Sequence, residues 1–421
     1  MIDIKLLREN PEAIRTGAAA KNVAVDTEAI LKMDTDRRRL IGESEKLKAE
    51  QNRASEEVAK EKDAAARQSK ITALKDTKAR IASLEGELKA VETDLNSALR
   101  LIPNMPRPDV KIGKDDSENY VLRTHGEPPK FAFPPLDYMA LGLKHDIIDT
   151  ERAAKVAGTR FGYLKGEAAL LEFALVQYAL NTLVAEGFTP VVPPVMLNEH
   201  AMSAMGYMDR GRDEIYHLAE DNLYLTGTSE QSLGAMHMDE TFREESLPKR
   251  YVGFSTCFRR EAGAAGKDTR GILRVHQFDK MEMFSFTKPE DSDQEHEFLL
   301  AMIERLWQGL GLPYHVLGTC SGDLGDPAAR KFDVETWIPS QSIYRETHST
   351  SSCTDYQARR LNIRVRRDNG GTEFVHTLNG TAVAVQRTII AILENFQEAD
   401  GAVCIPPALV PYMAGKTHIG R

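Results

Sequence analysis

The residues best suited to chemistry lie in two short segments separated by a glycine-containing loop. The first segment reads Phe258-Arg259-Arg260-Glu261, and the second reads Arg274-Val275-His276-Gln277-Phe278-Asp279-Lys280-Met281-Glu282. Arginine binds phosphate through paired hydrogen bonds, and an aromatic ring can stack on a nucleotide base. A carboxylate can also hold an ammonium group. These residue types indicate a site for a nucleotide and an amine.

Strand geometry would bring these side chains together. Because alternate residues of a strand share a face, Arg259 and Glu261 are predicted to point the same way. The second strand is predicted to present a face made of Arg274, His276, Phe278, Lys280 and Glu282. Gly263, Gly266 and Gly271 would let the loop approach a ligand closely. The alternative is a solvated hairpin with ordinary cross-strand ion pairs, a surface that seldom combines a phenylalanine with so many arginines.

The chain around this hairpin alternates between strand and helix patterns. Helices are predicted over Leu170–Ala185, over Asp291–Gly309 and from Gly380 to about Phe396. Strands grouped around a long hairpin, with helices outside, predict an α+β fold built on an antiparallel sheet. The sequence contains no Walker loop and no strand-linked GxGxxG, so a nucleotide must be held by another device.

The first hundred residues have a different pattern. There is no proline between Pro11 and Pro103, and apolar residues step by three and four along two tracts, Ile30–Val58 and Ile81–Ile102. This predicts two antiparallel helices that turn near residues 60–70. Their cations are interleaved with acidic residues, so a spacer coiled coil and an arm that grips a polyanion both remain open. The prolines at 103–108 indicate a boundary between domains 1–105 and 106–421.

The composition is that of a globular protein. The 421 residues include 54 Lys and Arg and 63 Asp and Glu, a net charge of −9, with 42% hydrophobic residues. This excludes disordered and fibrous classes. The apolar stretch Ala168–Ala185 is interrupted by polar residues and is not expected to span a membrane. The start lacks the pattern of a signal peptide, and four scattered cysteines without CxxC favour a reducing cytoplasm.

The hairpin resembles motif 2 of the class II aminoacyl-tRNA synthetases, in the form found in seryl-tRNA synthetases, and the resemblance extends over essentially the whole chain. Residues 1–11 resemble that family's start, and residues 102–110 resemble its junction between arm and body. Gly187-Phe188-Thr189-Pro190-Val191-Val192-Pro193-Pro194 resembles motif 1. Asn379-Gly380-Thr381, with Arg387 and Leu393-Glu394-Asn395, resembles motif 3. Several motifs in the right order are a stronger signal than any one of them.

The resemblance implies that the chain uses ATP to activate L-serine as seryl-adenylate and then charges the 3′ end of serine tRNA, with selenocysteine tRNA as a further substrate. The implied catalytic residues are Arg259, Arg387 and Glu282. The implied serine-binding residues are Thr228, Ser229, Glu230, Arg259, Glu282, Asn379 and Thr381. The implied ATP-binding residues are Arg259, Arg260, Glu261, Arg274, Val275, Phe278, Glu346, Thr347, His348, Ser349 and Arg387. Glu346 and Ser349 would hold Mg²⁺ against the ATP phosphates.

In this family the N-terminal hairpin binds the variable arm of serine tRNA, so the resemblance favours the polyanion-gripping arm over the spacer. It also implies a homodimer. Other functions stay open: a duplicate enzyme that serves an antibiotic pathway or resists an inhibitor, and a tRNA-binding regulator without catalysis. An amino-acid ligase for a carrier protein would lack the long arm, and a zinc-dependent relative would need a cysteine-containing ligand set.

Several positions depart from the family pattern. Thr228-Ser229-Glu230 resembles the family's TxE element, and Gln231-Ser232 stands where a proline often follows it. His348 stands where a small hydroxyl residue is common. Ala382 and Gln386 occupy places in motif 3 that often carry glycine or another small residue, and Tyr138 takes a place often held by histidine. None of these changes removes a group assigned to chemistry, but they leave room for altered affinity or altered inhibitor sensitivity.

Overall fold

The computed structural model describes residues 1–263 and 270–421, and these residues form two compact units. One unit comprises Ile2–Ala19 and Val23–Pro103, and the other comprises Met1, Ala20–Asn22 and Asn104–Arg421. The predicted loop residue Gly266 lies outside the described residues. The exact domain boundary at 105/106 stays a prediction.

The first unit is helical. Its helices are α1 (Ile4–Glu9), α2 (Pro11–Ala19), α3 (Thr27–Lys60) and α4 (Ala64–Arg100). Asp26 and Asp63 cap α3 and α4 by accepting hydrogen bonds from backbone N–H groups of the first turn. Ion pairs such as Lys48–Glu85 (2.7 Å) join the two long helices in an antiparallel hairpin. The helical hairpin predicted from the apolar steps is therefore present.

Burial within this hairpin is confined to one end. The buried residues of α3 run only from Thr27 to Ser44, and those of α4 run only from Ile81 to Leu99. Near that end the fully buried Asp34 accepts two hydrogen bonds from Arg8, at 2.6 and 2.7 Å, which hold the pKa of Asp34 below its usual range. The distal half of the hairpin is therefore a solvated rod whose charged surface is available to a partner.

The second unit combines short helices with many strands. Its helices are α5 (Tyr138–Lys144), α6 (Thr150–Ala157), α7 (Gly166–Ala185), α8 (Glu199–Ala204), α9 (Met208–Gly211), α10 (Glu230–Ala235), α11 (Ser292–Leu310), α12 (Tyr356–Leu361) and α13 (Val385–Asn395). Its strands are β1 (Tyr120–His125), β2 (Ile148–Asp149), β3 (Tyr163–Leu164), β4 (Thr189–Val191), β5 (Met196–Asn198), β6 (His217–Leu218), β7 (Leu223–Leu225), β8 (Thr241–Arg243), β9 (Lys249–Phe258), β10 (Gln277–Thr287), β11 (Tyr314–Gly318), β12 (Arg330–Ile338), β13 (Ile343–Thr354), β14 (Arg364–Arg366), β15 (Thr372–Phe374), β16 (His376–Ala384), β17 (Val403–Cys404) and β18 (His418–Ile419).

The main sheet has eight strands in the order β1-β11-β12-β13-β16-β10-β9-β4. All neighbours are antiparallel except β4 and β9, which are parallel. The register places Thr381 of β16 opposite Glu282 of β10, and Thr350 of β13 opposite Gly380 of β16. Strands that are distant in sequence thus lie side by side at the centre of the sheet. This is the α+β antiparallel architecture that the sequence predicts.

The core lies on both faces of β10, because successive side chains of a strand point to opposite sides. Met281 and Met283 pack into a large apolar cluster with α7, α11 and α13. Phe284 and Phe286 pack into a second cluster with residues of α8 and α12. The two clusters pack against opposite faces of β10 and so hold in position the strand that carries Phe278 and Glu282.

Helix α7 is long and apolar enough to cross a membrane by length and composition, and it is the only such helix in the described residues. Six of its residues, however, are buried against the body: Ala168, Leu171, Ala174, Leu175, Ala179 and Leu183. Another part of its surface remains open, since the side chain of Phe173 is 68% exposed. Packing in the core accounts for one apolar face of α7 but not for the other.

Candidate active site

Two adjoining cavities open on the central strands β10, β13 and β16. The first is lined by Arg259, Glu261, Ile272, Leu273, Arg274, Val275, Phe278, Lys280, Glu346, Thr347, His348, Ser349, Thr381, Ala384, Gln386 and Arg387. The second includes Tyr207, Thr228, Glu230, Arg259, Lys280, Glu282, Ser349, Cys353 and Asn379 in its lining. Arg259, Lys280 and Ser349 border both cavities. The two form one cleft with two lobes.

The first lobe contains an aromatic ring and a guanidinium group in contact with each other. The guanidinium carbon of Arg259 lies 5.1 Å from the ring centroid of Phe278, a cation–π contact. Arg259 Nε donates to the carbonyl of Gly227 at 3.2 Å, which orients the guanidinium group. Val275 and Ile272 are buried in the same wall. A flat base could stack on the exposed part of Phe278 while Arg259 meets a phosphate.

The ends of the hairpin differ from the predicted strand pattern. Strand β9 ends at Phe258 and β10 begins at Gln277, so Arg259, Glu261, Arg274 and His276 lie beyond the strand ends, although Arg259 N still donates to the carbonyl of His276 at 3.0 Å. The strand assignment predicted for these four residues is therefore wrong. Arg274 Nη1 nevertheless donates to Glu261 Oε2 at 2.7 Å, and both residues line the first lobe. The turn, in which Glu261 takes a φ of 52°, brings them together instead.

His276, predicted on the shared face, and Arg260, predicted to bind ATP, both lie outside the cleft. The His276 ring packs against Phe161, with 5.5 Å between centroids, and its Nδ1 lies 3.0 Å from the carbonyl oxygen of Arg259. Arg260 covers the ring of Tyr216, with its guanidinium carbon 5.1 Å from the centroid. Neither residue is among those that line the cleft. His276 supports the backbone of Arg259 rather than facing a ligand, and an ATP-binding role for Arg260 remains only a sequence prediction.

The far end of the first lobe pairs an acid with a second arginine. Arg387 Nη1 donates to the carbonyl of Glu346 at 2.7 Å and lies 3.6 Å from Glu346 Oε2. Partial burial alone would raise the pKa of Glu346, but the charges of Arg387, Lys331 and Arg259 outweigh it, and this pKa lies below its usual value. Glu346 is therefore an ionised carboxylate at neutral pH. Its side chain is 51% exposed, so it faces the cleft.

His348 and Thr347 form the wall behind this acid. His348 is buried edge-on against Trp307, with 3.8 Å between ring centroids, and burial lowers its pKa well below the usual value. Its Nδ1 lies 2.9 Å from Thr347 Oγ1, and within the described ranges its buried Nε2 has no hydrogen-bond partner. Thr347 Oγ1 is also 3.1 Å from the carbonyl oxygen of Val334. His348 thus acts as a neutral ring of the wall.

The second lobe contains two buried carboxyl groups. Glu282 is 1% exposed; Lys280 Nζ lies 2.6 Å from its Oε2, and Thr381 Oγ1 donates to Oε2 at 3.3 Å. Glu230 accepts hydrogen bonds from Tyr207 Oη at 2.8 Å and from Gln357 Nε2 at 3.0 Å. Burial, reinforced by the charge of Glu282, raises the pKa of Glu230 to about 7. Such a pair is suited to holding an ammonium group and a hydroxyl group.

The remaining predicted serine-binding residues differ in position. Thr228 and Asn379 line the second lobe. Ser229 is fully buried and donates its hydroxyl to the carbonyl of Gly253 at 3.0 Å, so it anchors the start of α10 on β9. Ser229 is not among the lining residues. The structure thus brings Thr228, Glu230, Glu282, Asn379 and Thr381 around one cleft and places Ser229 behind it.

Sequence reasoning missed one ion pair and two residues that shape the second lobe. The pair is that of Lys280 and Glu282, and their spacing of two in a strand is a signal that could have suggested it. Tyr207 and Gln357, which hold Glu230, lie 23 and 127 residues away from it. No local pattern marks them, because only the packing of α9, α10 and α12 brings these segments together.

Comparison with known proteins bears on this cleft and on the helical hairpin. Residues 215–396 match the family model "tRNA synthetase class II core domain (G, H, P, S and T)", and residues 1–106 match "Seryl-tRNA synthetase N-terminal domain". The chain is 45% identical over 417 residues to the serine–tRNA ligase of Dictyoglomus turgidum, and 47% identical over 418 residues to that of Acidothermus cellulolyticus, each alignment covering 98% of both chains.

Solved structures give the same picture. The seryl-tRNA synthetase of Pyrococcus horikoshii, complexed with ATP, superimposes with a TM-score of 0.93 at 39% identity, covering 100% of this chain and 99% of that one. The cytoplasmic serine–tRNA ligase of Naegleria fowleri, in complex with AMP, superimposes with a TM-score of 0.88 at 34% identity, covering 100% and 98%. Similarity of this extent covers both units, the helical hairpin as well as the cleft.

Proposed function

Because the chain belongs to the seryl-tRNA synthetase family, we propose that its serine–tRNA ligase activity proceeds in the two-lobed cleft, with ATP in the first lobe and serine in the second. The family, the class II fold and the ligase activity predicted from the sequence are confirmed: the chain activates serine with ATP and charges serine tRNA. The observation that carries the proposal is that Arg259 borders both lobes, where the two substrates must meet.

The serine lobe supplies binding and discrimination. Ionised Glu230, with Thr228 beside it, would hold the α-ammonium, while Glu282 and Thr381 would bind the side-chain hydroxyl. Asn379 completes the wall. Alanine would leave the buried Glu282 and Lys280 without a hydroxyl partner, and leaving buried polar groups unpaired is costly. The lobe therefore favours serine over alanine.

The ATP lobe would orient the phosphates for attack. Phe278 stacks on adenine, with the backbone near Val275 and the Glu261–Arg274 pair beside it. Arg259 meets the α-phosphate, where negative charge develops as the serine carboxylate attacks in line. Arg387, at the other end of the lobe, would hold the γ-phosphate and so keep the leaving pyrophosphate extended. The adenylate then lies across the border between the lobes.

Glu346 and Ser349 are the groups we propose to hold Mg²⁺ against the ATP phosphates. The fit rests on chemistry: Glu346 is ionised and faces the cleft, and Mg²⁺ prefers oxygen ligands. No cluster of three or more His, Cys, Asp or Glu side chains that could hold a metal occurs in residues 1–263 and 270–421. That matches an ion bound largely by substrate phosphates, and when bound it would neutralise their charge.

We propose that the helical hairpin α3–α4 binds the variable arm of serine tRNA. Exposed cations occur along it without an ion-pair partner in the part of the chain that the structure describes: Lys46, Arg53, Arg67, Lys75 and Lys78. Phosphate contacts by such cations supply much of the affinity for nucleic acids. We keep 1–105 as the proposed tRNA-binding domain and 106–421 as the proposed catalytic domain.

We further propose a homodimer formed through the open face of α7. Phe173 and Val184 on α7 are 68% and 47% exposed, and Val192, just beyond β4, is 90% exposed. Apolar residues grouped in this way mark interfaces in soluble proteins. Burial in an interface, rather than in a lipid bilayer, would cover this face of α7.

A cytoplasmic location is proposed because all four cysteines are free thiols.

Serine-dependent exchange of pyrophosphate into ATP tests the proposed chemistry without tRNA. We expect Arg259→Ala to reduce exchange by about 10²- to 10³-fold, the loss caused by removing one donor to a developing charge. Arg15→Ala changes an exposed arginine of α2 and is the matched control, expected to retain full exchange. A folded Arg259→Ala protein with normal exchange would refute the cleft assignment. A catalytically silent regulator would show no exchange even in the unsubstituted chain.

A further inference from the structure

Gln386 is a polar residue of the first lobe for which the chemistry above has no use. It stands at the second position of α13, is half-buried, and lines the cavity together with Phe278, Val275 and Ile272. Glycine or another small residue is common at this place in the family pattern. This chain therefore brings an additional amide and additional volume to the wall against which the base of ATP would lie.

The orientation of this amide is set by its one hydrogen bond. The backbone nitrogen of Asp279 donates to Gln386 Oε1 at 3.0 Å. Because a backbone N–H can only donate, the atom that faces β10 must be the oxygen, and the –NH₂ group must point away from the strand. No hydrogen-bond partner for Nε2 occurs among residues 1–263 and 270–421. Because Gln386 lines the cavity, this donor is available to a ligand bound there.

The hydrogen bond to Asp279 places this side chain next to the stacking ring. Asp279 directly follows Phe278 on β10, and Gln386 and Phe278 line the same lobe. The carboxylate of Asp279 accepts the hydroxyl of Thr256 at 2.7 Å. A purine stacked on Phe278 would present its ring nitrogens, and its ribose would present hydroxyl oxygens, all of which accept hydrogen bonds.

We propose that Gln386 binds the nucleoside half of ATP through a hydrogen bond donated by its side-chain amide nitrogen. The inference rests on the proposed function, which places ATP in this lobe. Gln386 would then contribute to the affinity for ATP and to the selection of adenosine, while the serine lobe and the phosphate-binding arginines would be untouched by its loss. The ligand atom is a nitrogen of the base or an oxygen of the ribose.

The test combines Gln386→Met, which keeps the length but removes both polar atoms, with ATP analogues that each lack one acceptor: 1-deaza-, 3-deaza-, 7-deaza- and 2′-deoxy-ATP. In the exchange assay we expect Gln386→Met to raise the KM for ATP about 5- to 15-fold, the equivalent of one hydrogen bond. The KM for serine should change less than twofold. With the unsubstituted enzyme, one analogue should have a higher KM than ATP. With the variant, the KM of that analogue should be no higher than the KM of ATP.

The outcomes separate the possibilities. If the KM of each analogue relative to the KM of ATP is the same in both proteins, Gln386 acts only by packing against β10, and the proposal is overturned. An unchanged KM for ATP also overturns it. Gln294→Met, on the exposed surface of α11, is the control for the substitution itself. Arg259→Ala in the same assay reports on the proposed function separately, so failure of one proposal is distinguishable from failure of the other.

Discussion

One substitution, Glu230→Gln, tests two consequences of a buried carboxylate: its effect on serine binding and its effect on protein stability. Glu230 is 4% exposed, and burial, reinforced by the charge of Glu282, raises its pKa to about 7. An ammonium group is bound well only by the carboxylate, so serine binding should fail as the pH falls through 7. The ionised fraction drops about eightfold between pH 7.5 and pH 6, and kcat/KM for serine should drop by the same factor.

Glutamine keeps a similar shape but cannot ionise. We expect Glu230→Gln to lower kcat/KM for serine by about 10- to 100-fold at pH 7.5, the range for a lost charge-assisted hydrogen bond, and to flatten its dependence on pH. Exchange at saturating ATP and varied serine, between pH 5.5 and pH 8.5, measures both effects. The KM for ATP at saturating serine is the internal control, since Glu230 does not line the first lobe.

The stability of the folded protein should depend on pH in the opposite direction to serine binding. A carboxyl group whose folded pKa is raised binds its proton more tightly in the folded state, so the protein loses stability as the pH rises from about 4.5 to about 7. The variant escapes this loss and should be more stable than the unsubstituted protein at pH 8, by on the order of 1–3 kcal/mol. Denaturant unfolding at pH 5 and pH 8 measures the difference. A flat serine profile from pH 6 to pH 8, or a variant that binds serine normally, would refute the reasoning.

Two further outcomes are expected. Replacing residues 46–79 with a short Gly-Ser linker keeps every buried residue of α3 and α4, so pyrophosphate exchange should remain within twofold. Charging of serine tRNA should fall at least tenfold, because the phosphate contacts of the arm are lost. Normal charging would contradict the proposed role of the arm. Phe173→Asp places a charge on the open face of α7, and sedimentation should show monomers of this variant. The unsubstituted chain and the control Glu151→Asp, on α6, should both sediment as the proposed dimer. A Phe173→Asp protein that still forms the dimer would place the interface elsewhere.

Features that depend on neighbouring residues were predictable from the sequence. The arm follows from apolar residues spaced by three and four and from the absence of proline, since a helix needs only contacts within one turn. The α+β class and the central β10 strand follow from alternation and turn signals. Phe278, Glu282 and Thr381 were expected in one site and lie in one cleft, because β10 and β16 pair in the register that puts Glu282 opposite Thr381.

Features that depend on burial and on contacts between distant segments were decided only by the tertiary structure. The ring of His276 packs against Phe161 and lies against the carbonyl of Arg259, contacts that alternation along a strand does not predict. Burial raises the pKa of Glu230, and the hydrogen bonds that oppose this rise come from Tyr207 and Gln357, 23 and 127 residues away. The sequence by itself determined which groups this protein carries and roughly where each lies along a helix or strand. Packing alone decided which of them lose water and meet, because desolvation is a property of the assembled core and not of any local segment.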